Sequence, residues 1–241
     1  MINPVAPTPY RWHTASNLHD LHDAALTTVL DAAMLAIRQR GEFHLVISGG
    51  ETPRKIYQQL RTAQTDWSKW HIYFSDERCL PTTDKNRNSR MAGEAWLDHV
   101  SIPENQIHII PTEIGASQSA LKYAAILSTV KMFDLVLLGL GEDGHTASLF
   151  PGHDWGDKPD SPDTLAVVNA PKPPSERVSL SATRLSRSRE VLFLVAGESK
   201  GNAVAKWRHG ENIPAQAIVP AAGVDILIES DLLAPLSIKS H

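Results

Sequence analysis

The chain has 241 residues, of which 42% are hydrophobic and 21% charged, and its formal net charge is −4. This length suits one α/β domain or at most two small ones, with a core that needs no cross-links. The acidic balance excludes the broad basic surface that binds nucleic acid or an anionic membrane. An anionic small molecule would therefore be held by a few local cationic groups.

The cysteine content and the apolar pattern bear on where the protein works. Cys79 is the one cysteine, so no intrachain disulfide can form, and this favours a cytoplasmic protein. No apolar stretch approaches the roughly 20 residues of a membrane-spanning helix. Residues Met1 to Ser16 hold three prolines and no long apolar run. They are therefore predicted to be neither a signal peptide nor a membrane anchor.

Short apolar runs alternate with helical patterns along the chain. Helices are predicted at Asn17–Arg40, Pro53–Arg61, Asn88–His99, Ser117–Met132, within Ser179–Ser188 and at Ser199–Arg208. Strands are predicted at Phe43–Ile47, His71–Phe74, Ile107–Ile110, Phe133–Leu138, Leu165–Val168, Val191–Val195 and Ile226–Ile228. Nearly continuous apolar strands that alternate with helices are typical of a parallel sheet covered on both faces. The expected fold class is α/β: a doubly wound, mostly parallel sheet with helices on both faces, in one domain over residues 1–241.

The segment Gly152–Pro174 is rich in Pro, Gly and Asp and is predicted to be mostly loop. It could be a lid over a ligand or a long surface excursion, and the sequence does not decide between them. Ligands of open α/β sheets bind at the carboxyl ends of the strands. Three polar clusters of this chain follow predicted strands and are therefore candidate parts of a site.

The first cluster runs from Ser48 to Pro53, between a strand and a helix. Thr52 is a good N-cap and Pro53 suits the first helical position. Gly49 and Gly50 would let the backbone approach a ligand closely, and the free amides of the helix start would attract an anion. The cluster is either a phosphate cradle or a tight turn that needs glycine for geometry alone.

The second cluster is Ser75-Asp76-Glu77-Arg78. Three consecutive charged residues at a strand end are, taken alone, better explained as a solvated turn. The alternative is that Asp76 or Arg78 points into a crevice, as hydrogen-bond acceptor or phosphate partner. Arginine suits phosphate because its planar fork donates two bonds at once.

The third cluster runs from Leu138 to Gly152. It contains a Gly-x-Gly-x-x-Gly spacing, but Pro151 would cut short the helix that a dinucleotide site needs. His145 is the more informative residue, because histidine is the usual general base at neutral pH and Asp143 or Glu142 could orient its ring. A lone histidine that only caps a loop remains the alternative.

The remaining charged and metal-binding side chains give weaker signals. Arg177 follows a Pro-rich stretch and Lys200 follows a predicted strand; each is either an anion partner or an ordinary surface charge. His19 and His22 lack a third ligand, so no metal is predicted, and no cofactor is expected. The absence of a Gly-x-Ser-x-Gly elbow gives no support for a serine hydrolase.

In order and spacing, the three clusters together resemble the 6-phosphogluconolactonase family of the glucosamine/galactosamine-6-phosphate isomerase superfamily. The matching stretches are 48–53, 75–78 and 139–152, and the third is long and specific. The resemblance covers most of the chain, from the first predicted strand to Lys200. It implies the fold of glucosamine-6-phosphate deaminases and ribose-5-phosphate isomerases. It also implies hydrolysis of 6-phospho-D-glucono-1,5-lactone to 6-phosphogluconate in the oxidative pentose phosphate pathway.

The resemblance also implies roles for individual residues. By position, His145 looks like the family's general base, with Asp143 and Asp76 as further catalytic residues. The implied substrate- and phosphate-binding residues are Ser48, Gly49, Gly50, Thr52, Arg78, Arg177 and Lys200.

Two positions depart from the family pattern. Arg87 stands where serine is common, beside the matching Asn88, and Cys79 stands where a β-branched residue is usual. Neither removes a proposed catalytic group, but the role of Asn88 is left open.

Two alternative functions are considered. An amino-sugar-phosphate isomerase or deaminase resembles Gly-His-Ile-Ala-Phe-Asn-Glu at the third cluster, whereas 147–151 here hold no carboxylate, which favours the lactonase. A non-catalytic sugar-phosphate-binding domain of a transcription regulator would follow a DNA-binding unit, for which this chain has no basic patch. The expected partner is therefore a small sugar-phosphate lactone, with no nucleic acid, no membrane and no obligate protein partner.

Overall fold

The computed structural model describes residues 10–233. The prediction for the N-terminal segment therefore falls largely outside the described residues. None of the helices within 10–233 is long and apolar enough to cross a membrane.

Ten strands and six α-helices make up the described part of the chain, with short 3-10 turns between them. The strands are β1 (Tyr10–Ala15), β2 (Phe43–Ile47), β3 (Trp70–Phe74), β4 (Asp76–Arg78), β5 (Ile107–His108), β6 (Phe133–Gly139), β7 (Thr164–Val167), β8 (Arg177–Leu180), β9 (Ser188–Val195) and β10 (Val224–Glu229). The α-helices are α1 (Leu18–Arg40), α2 (Glu51–Leu60), α3 (Asn88–Ala95), α4 (Ala116–Leu127), α5 (Ala182–Ser186) and α6 (Gly201–Arg208).

Seven strands form one sheet in the order β1-β10-β9-β6-β2-β3-β5, and every neighbouring pair is parallel. In the central strand β6, every residue from Phe133 to Leu138 is buried. Successive side chains of a strand point to opposite faces, so this burial requires cover on both faces of the sheet. The predicted α/β fold with a mostly parallel, covered sheet is confirmed. The assignment of residues 1–241 to one domain stays a prediction.

A second sheet of three antiparallel strands, in the order β4-β8-β7, is absent from the sequence prediction. The sequence places Leu165–Val168 in the main sheet, but the structure pairs this strand, as β7, with β8. The strands β4 and β8 escape prediction because they are short and carry charged residues in place of an apolar run. The segment Gly152–Pro174 is therefore only partly loop. It is also bonded to α5, because the amides of Ala182 and Thr183 donate to the carbonyls of residues 155 and 156.

The helix ends follow the sequence in one case and not in another. The Asn17 side chain caps α1 by accepting the Asp20 amide at 3.0 Å, and Gly41 ends the helix with φ of 84°. Helix α2 begins at Glu51 with Gly50 as N-cap, so the prediction of Thr52 as N-cap is wrong. Gly50 has φ of 119°, which glycine alone adopts easily. The chain therefore turns into the helix one residue before Thr52.

Strand β1 was not predicted because it lies at the edge of the sheet. Residues 10–13 alternate between half-buried and exposed, and only Ala15 is buried, so the strand forms no apolar run. They pair in parallel with β10 along their whole length.

Three histidine rings are stacked at the amino-terminal edge of the main sheet. His44, His71 and His108 come from β2, β3 and β5, with successive ring centroids 4.8 and 5.9 Å apart. Burial, followed by the two neighbouring rings, lowers the pKa of His108 to about 4. Its Nε2 is buried and has no hydrogen-bond partner within residues 10–233. The fold therefore holds this ring in the neutral form.

We expect the His108 ring to make the protein less stable in acid. Its pKa in the fold lies below the unfolded value of about 6.5, so its contribution is complete above pH 6.5 and lost as pH falls towards 4. The shift sets a limit of about 3 kcal/mol, which solvent screening reduces to about 1–2 kcal/mol. The melting temperature should thus fall by about 2–8 °C from this cause.

The measurement is the melting temperature between pH 7.5 and 4 for the wild type and His108→Phe. The variant should show a flatter pH dependence, while His99→Gln, at an exposed histidine, should match the wild type. An equally steep dependence in His108→Phe would contradict the prediction.

Candidate active site

A cavity of about 380 Å³ lies at the carboxyl ends of the central strands. From β2 the chain continues to β3 on one side, whereas from β6 it goes to β9 on the other, so β2 and β6 flank a topological switch point. Open α/β sheets bind ligands in the crevice at this point. Nine of the ten predicted site residues line the cavity: Ser48, Gly49, Gly50, Thr52, Asp76, Arg78, His145, Arg177 and Lys200.

The turn after β2 forms one wall of the cavity. The Tyr57 hydroxyl accepts the Ser48 amide at 3.1 Å and donates to the Ser48 carbonyl at 2.9 Å, which fixes where the strand ends. The first amides of α2 have no earlier helical carbonyl to bond, and the helix dipole makes this end positive. This wall can bind an anionic group.

The loop after β6 positions His145 on the wall of the cavity. His145 Nδ1 is 2.5 Å from Asp143 Oδ1, and Phe150 packs beside the imidazole with ring centroids 4.8 Å apart. Gly141 is required here, because a Cβ at this position would lie 1.9 Å from His145 Nδ1. Asp143, the tenth predicted site residue, bonds to the histidine but is not among the residues that line the cavity.

The hydrogen bond to Asp143 sets the chemistry of the imidazole. Within residues 10–233, Nδ1 is the only nitrogen of the His145 ring that has a hydrogen-bond partner. Nε2 can therefore bind a ligand. Burial is the largest effect on the ring and lowers its pKa, while the Asp143 carboxylate acts in the opposite direction. Because its pKa lies below the usual value, the His145 ring is mostly neutral at pH 7, and Nε2 is then its acceptor nitrogen.

The second cluster is a strand and not a solvated turn. Asp76 and Glu77 are almost fully buried, because β4 pairs with β8 in the small sheet. Side chains alternate along a strand, so Asp76 and Arg78 line the cavity while Glu77 does not. Arg78 pairs across the sheet with Arg177, which brings two guanidinium groups to one wall.

The carboxylate of Asp76 is held at both oxygens. Ser148 donates its hydroxyl to Oδ2 at 2.5 Å, and Asn88 donates its Nδ2 to Oδ1 at 2.9 Å. Asn88 also donates to the Asp76 carbonyl at 2.9 Å. The orientation of this carboxylate is therefore fixed before any ligand arrives.

The cationic side chains of the cavity differ in their hydrogen bonds and in their pKa shifts. Arg177 is buried and donates to the carbonyls of Lys172, Pro173 and Pro174 at 3.0–3.3 Å. Burial lowers the pKa of Lys200, and the neighbouring Lys172 adds to this effect.

The side chains that line the cavity carry a net positive charge. With a neutral His145, three cationic lining side chains (Arg78, Arg177 and Lys200) face two anionic ones (Glu51 and Asp76), a net charge of +1. The cavity thus favours an anion.

The sequence prediction does not include Ser148, Glu77 or Lys172 among the site residues, and it assigns no role to Asn88. Ser148 and Asn88 bond to Asp76, Glu77 caps the helix that carries Asn88, and Lys172 lowers the pKa of both His145 and Lys200. In the sequence these residues do not differ from ordinary polar residues. Only the match of Asn88 to the family pattern pointed to one of them.

Comparison with known proteins agrees with the geometry. A family model described as glucosamine-6-phosphate isomerases/6-phosphogluconolactonase matches residues 16–227. The chain belongs to this family. The 6-phosphogluconolactonase of Synechocystis sp. is 38% identical over 212 residues, which are 83% of this chain and 85% of that relative.

Two solved structures share the fold of this chain. The crystal structure of 6-phosphogluconolactonase from Thermotoga maritima has a TM-score of 0.84 at 24% identity, with coverage of 92% of this chain and 100% of that one. A monomeric glucosamine-6-phosphate deaminase has a TM-score of 0.79 at 19% identity, with coverage of 92% and 98%. At these identities the likeness concerns the fold, which both activities named in the family use.

The environment of His145 predicts how its ring titrates. In an NMR pH titration its pKa should lie below 6.5, because burial disfavours the charged ring. Asp143→Asn should lower this pKa further, because it removes the carboxylate that raises it. Glu142→Gln, one residue away, should leave the pKa unchanged. Loss of the signal in His145→Gln assigns it, and a pKa that stays the same or rises in Asp143→Asn would contradict the prediction.

Proposed function

We propose that this chain hydrolyses 6-phospho-D-glucono-1,5-lactone to 6-phosphogluconate, the lactonase step of the oxidative pentose phosphate pathway. The observation that carries the proposal is the presence of a neutral histidine and a cationic wall in one small cavity, where Nε2 of this histidine has no hydrogen-bond partner within residues 10–233. The 38% identity to a 6-phosphogluconolactonase over most of both chains supports the same reaction.

The phosphate of the substrate binds at the turn after β2. There the first amides of α2 and the ammonium group of Lys200 face the cavity together. Nε and Nη2 of Arg177 donate to backbone carbonyls, so its main role is to stabilise the turn at Lys172–Pro174 and to supply positive charge. Phosphate binding then places the lactone carbonyl beside His145.

His145 acts as the general base of the reaction. Its Nε2 takes a proton from water as the water oxygen attacks C1, and Asp143 stabilises the resulting imidazolium through Nδ1. The tetrahedral oxyanion forms near Arg78 and Arg177, whose positive charge favours it. The bond from C1 to the ring oxygen then breaks, and the imidazolium returns its proton to that oxygen.

The loop amides contribute less to the oxyanion than the glycine content suggests. The Gly141 amide donates to the His145 carbonyl at 2.7 Å, and the Gly144 amide donates to the Gly141 carbonyl at 3.0 Å. Both amides therefore stabilise the loop conformation and do not donate to the oxyanion. Asp76, oriented by its own bonds, accepts a hydrogen bond from a sugar hydroxyl and sets the angle of the lactone ring.

The related deaminase activity is less well supported by this cavity. The resemblance to deaminases requires a carboxylate soon after the histidine, to assist ring opening. The corresponding residues here are Ala147, Ser148 and Leu149, followed by Phe150, which is fully buried beneath the imidazole. No observation favours the amino-sugar reaction over the lactonase.

The first test is hydrolysis of freshly generated 6-phosphogluconolactone against its spontaneous background. The wild type should accelerate it strongly, and His145→Ala should lower kcat by about 10²–10⁴-fold. His153→Ala is the matched control, because this exposed histidine also contacts Phe150 and should leave kcat unchanged. A wild type no faster than background rejects the function, and glucosamine 6-phosphate becomes the next substrate; near-normal turnover of His145→Ala rejects the base.

The role of Lys200 is tested with two lactones. Lys200→Ala should raise KM for the phosphorylated lactone by about 10-fold with little change in kcat, because it removes a contact present in both ground and transition state. The control substrate is glucono-1,5-lactone, which lacks the phosphate and should be hydrolysed equally by both proteins. Lys206→Ala, on α6 outside the cavity lining, serves as the control variant. An equal loss on both lactones would mean that Lys200 does not bind the phosphate.

A further inference from the structure

A fully buried carboxylate beside the site has no part in the chemistry described above. Glu77 has no exposed surface, and its Oε1 accepts the amides of Arg78 and Asn88 at 2.8 and 2.7 Å. Its Oε2 accepts the Ser89 amide at 2.8 Å and lies 3.5 Å from Arg87 Nε. Such a charge is costly to bury, and three main-chain donors plus an arginine compensate it.

These bonds fix the start of α3, which carries Asn88 as its first residue. The N-cap position is Arg87, whose side chain makes no capping bond. Glu77 supplies from β4 the acceptor that a capping side chain would give, and its charge suits the positive end of the helix. The position of Asn88 relative to β4 is therefore set by Glu77.

Asn88 in turn lies between two walls of the cavity. Its Nδ2 holds the carboxylate and the carbonyl of Asp76, each at 2.9 Å. Its amide oxygen lies against Gly49, where an added Cβ would approach within 2.0 Å. One side chain thus sets the spacing between the proposed phosphate end and the carboxylate at the lactone end.

We infer that Glu77 is a positioning residue that acts through Asn88 to hold Asp76 and the Gly49 turn at the separation the substrate requires. This inference rests on the proposed function for its kinetic readout. Glu77 does not line the cavity, so it does not touch substrate. Small displacements of aligned catalytic groups lower the reaction rate strongly. A buried charge that fixes the position of Asn88 prevents such displacements.

Glu77→Gln tests the inference with almost no change in volume. One acceptor oxygen becomes an NH₂ group that faces main-chain N–H donors, so the start of α3 must shift. We expect kcat/KM to fall by about 10- to 100-fold. In the Asp76→Asn background the same substitution should cost less than about threefold, because the two residues act as one unit. Full additivity of the two losses would overturn the inference.

Asn88→Ala provides a second route that spares the capping bonds. Glu77 bonds to the main chain of Asn88 and Ser89, so this variant should fold even if Glu77→Gln does not. It should lose kcat/KM as strongly as Glu77→Gln with a smaller drop in melting temperature, and it too should be non-additive with Asp76→Asn. Activity within about twofold of wild type would show that Asn88 does not position Asp76.

Asp134→Asn is the matched control for a general loss of stability. Asp134 is also a buried carboxylate that accepts a main-chain amide, that of His44 at 2.8 Å, and pairs with Arg40. It lies at the opposite edge of the sheet, so this variant should lose melting temperature but keep kcat/KM. An equal loss of activity in Asp134→Asn would attribute the Glu77 effect to stability alone.

A crystal structure of Glu77→Gln separates this inference from the proposed function. The distance from Asn88 Nδ2 to Asp76 Oδ1 should exceed hydrogen-bond range, whatever substrate the enzyme uses. An unchanged contact overturns the inference even if the wild type is an active lactonase. A wild type without lactonase activity overturns the function, while the altered contact would still support the positioning role.

Discussion

Parallel pairing of β2 with β6 is the constraint on which the site depends. The ladder between these strands is short, with Leu45 opposite Leu135 and Val46 opposite Val136. Because the strands are parallel, the turns after Ile47 and after Gly139 emerge at the same edge. The chain leaves the two strands in opposite directions, so a crevice opens between the turns. One turn presents helix amides and the other presents His145, which gives one small cavity an anion-binding end and a basic end.

The sequence predicted this framework well because its signals are local. Apolar runs identified β2 to the residue, at Phe43–Ile47, and β6 to within one residue, since strands covered on both faces are mostly apolar. Histidine and glycine in the loop after β6 were recognisable because their chemistry and backbone freedom are specific. Nine of the predicted site residues accordingly line one cavity.

The small antiparallel sheet was out of reach for a physical reason. Its strands β4 and β8 bury charged residues, and a buried charge needs hydrogen-bond or ionic partners that compensate it. Most partners of Glu77 lie at 87–89, and Asp76 has a partner at Ser148, both far along the chain. A window of neighbouring residues shows three charges in a row and suggests a solvated turn. The compensating donors appear only when the chain is folded, so the local pattern and the structure disagree most where function requires buried polarity.

Phe150 connects the fold to the choice of reaction. It is fully buried, lies beside the imidazole of His145, and has the guanidinium carbon of Arg177 5.4 Å from its ring centroid. An apolar ring at this place removes water from one side of His145, which contributes to the burial that lowers the histidine pKa. A carboxylate at the same place would instead stabilise the imidazolium and supply an acid for ring opening. The residues after the histidine therefore place an apolar ring, and no carboxylate, beside the imidazole.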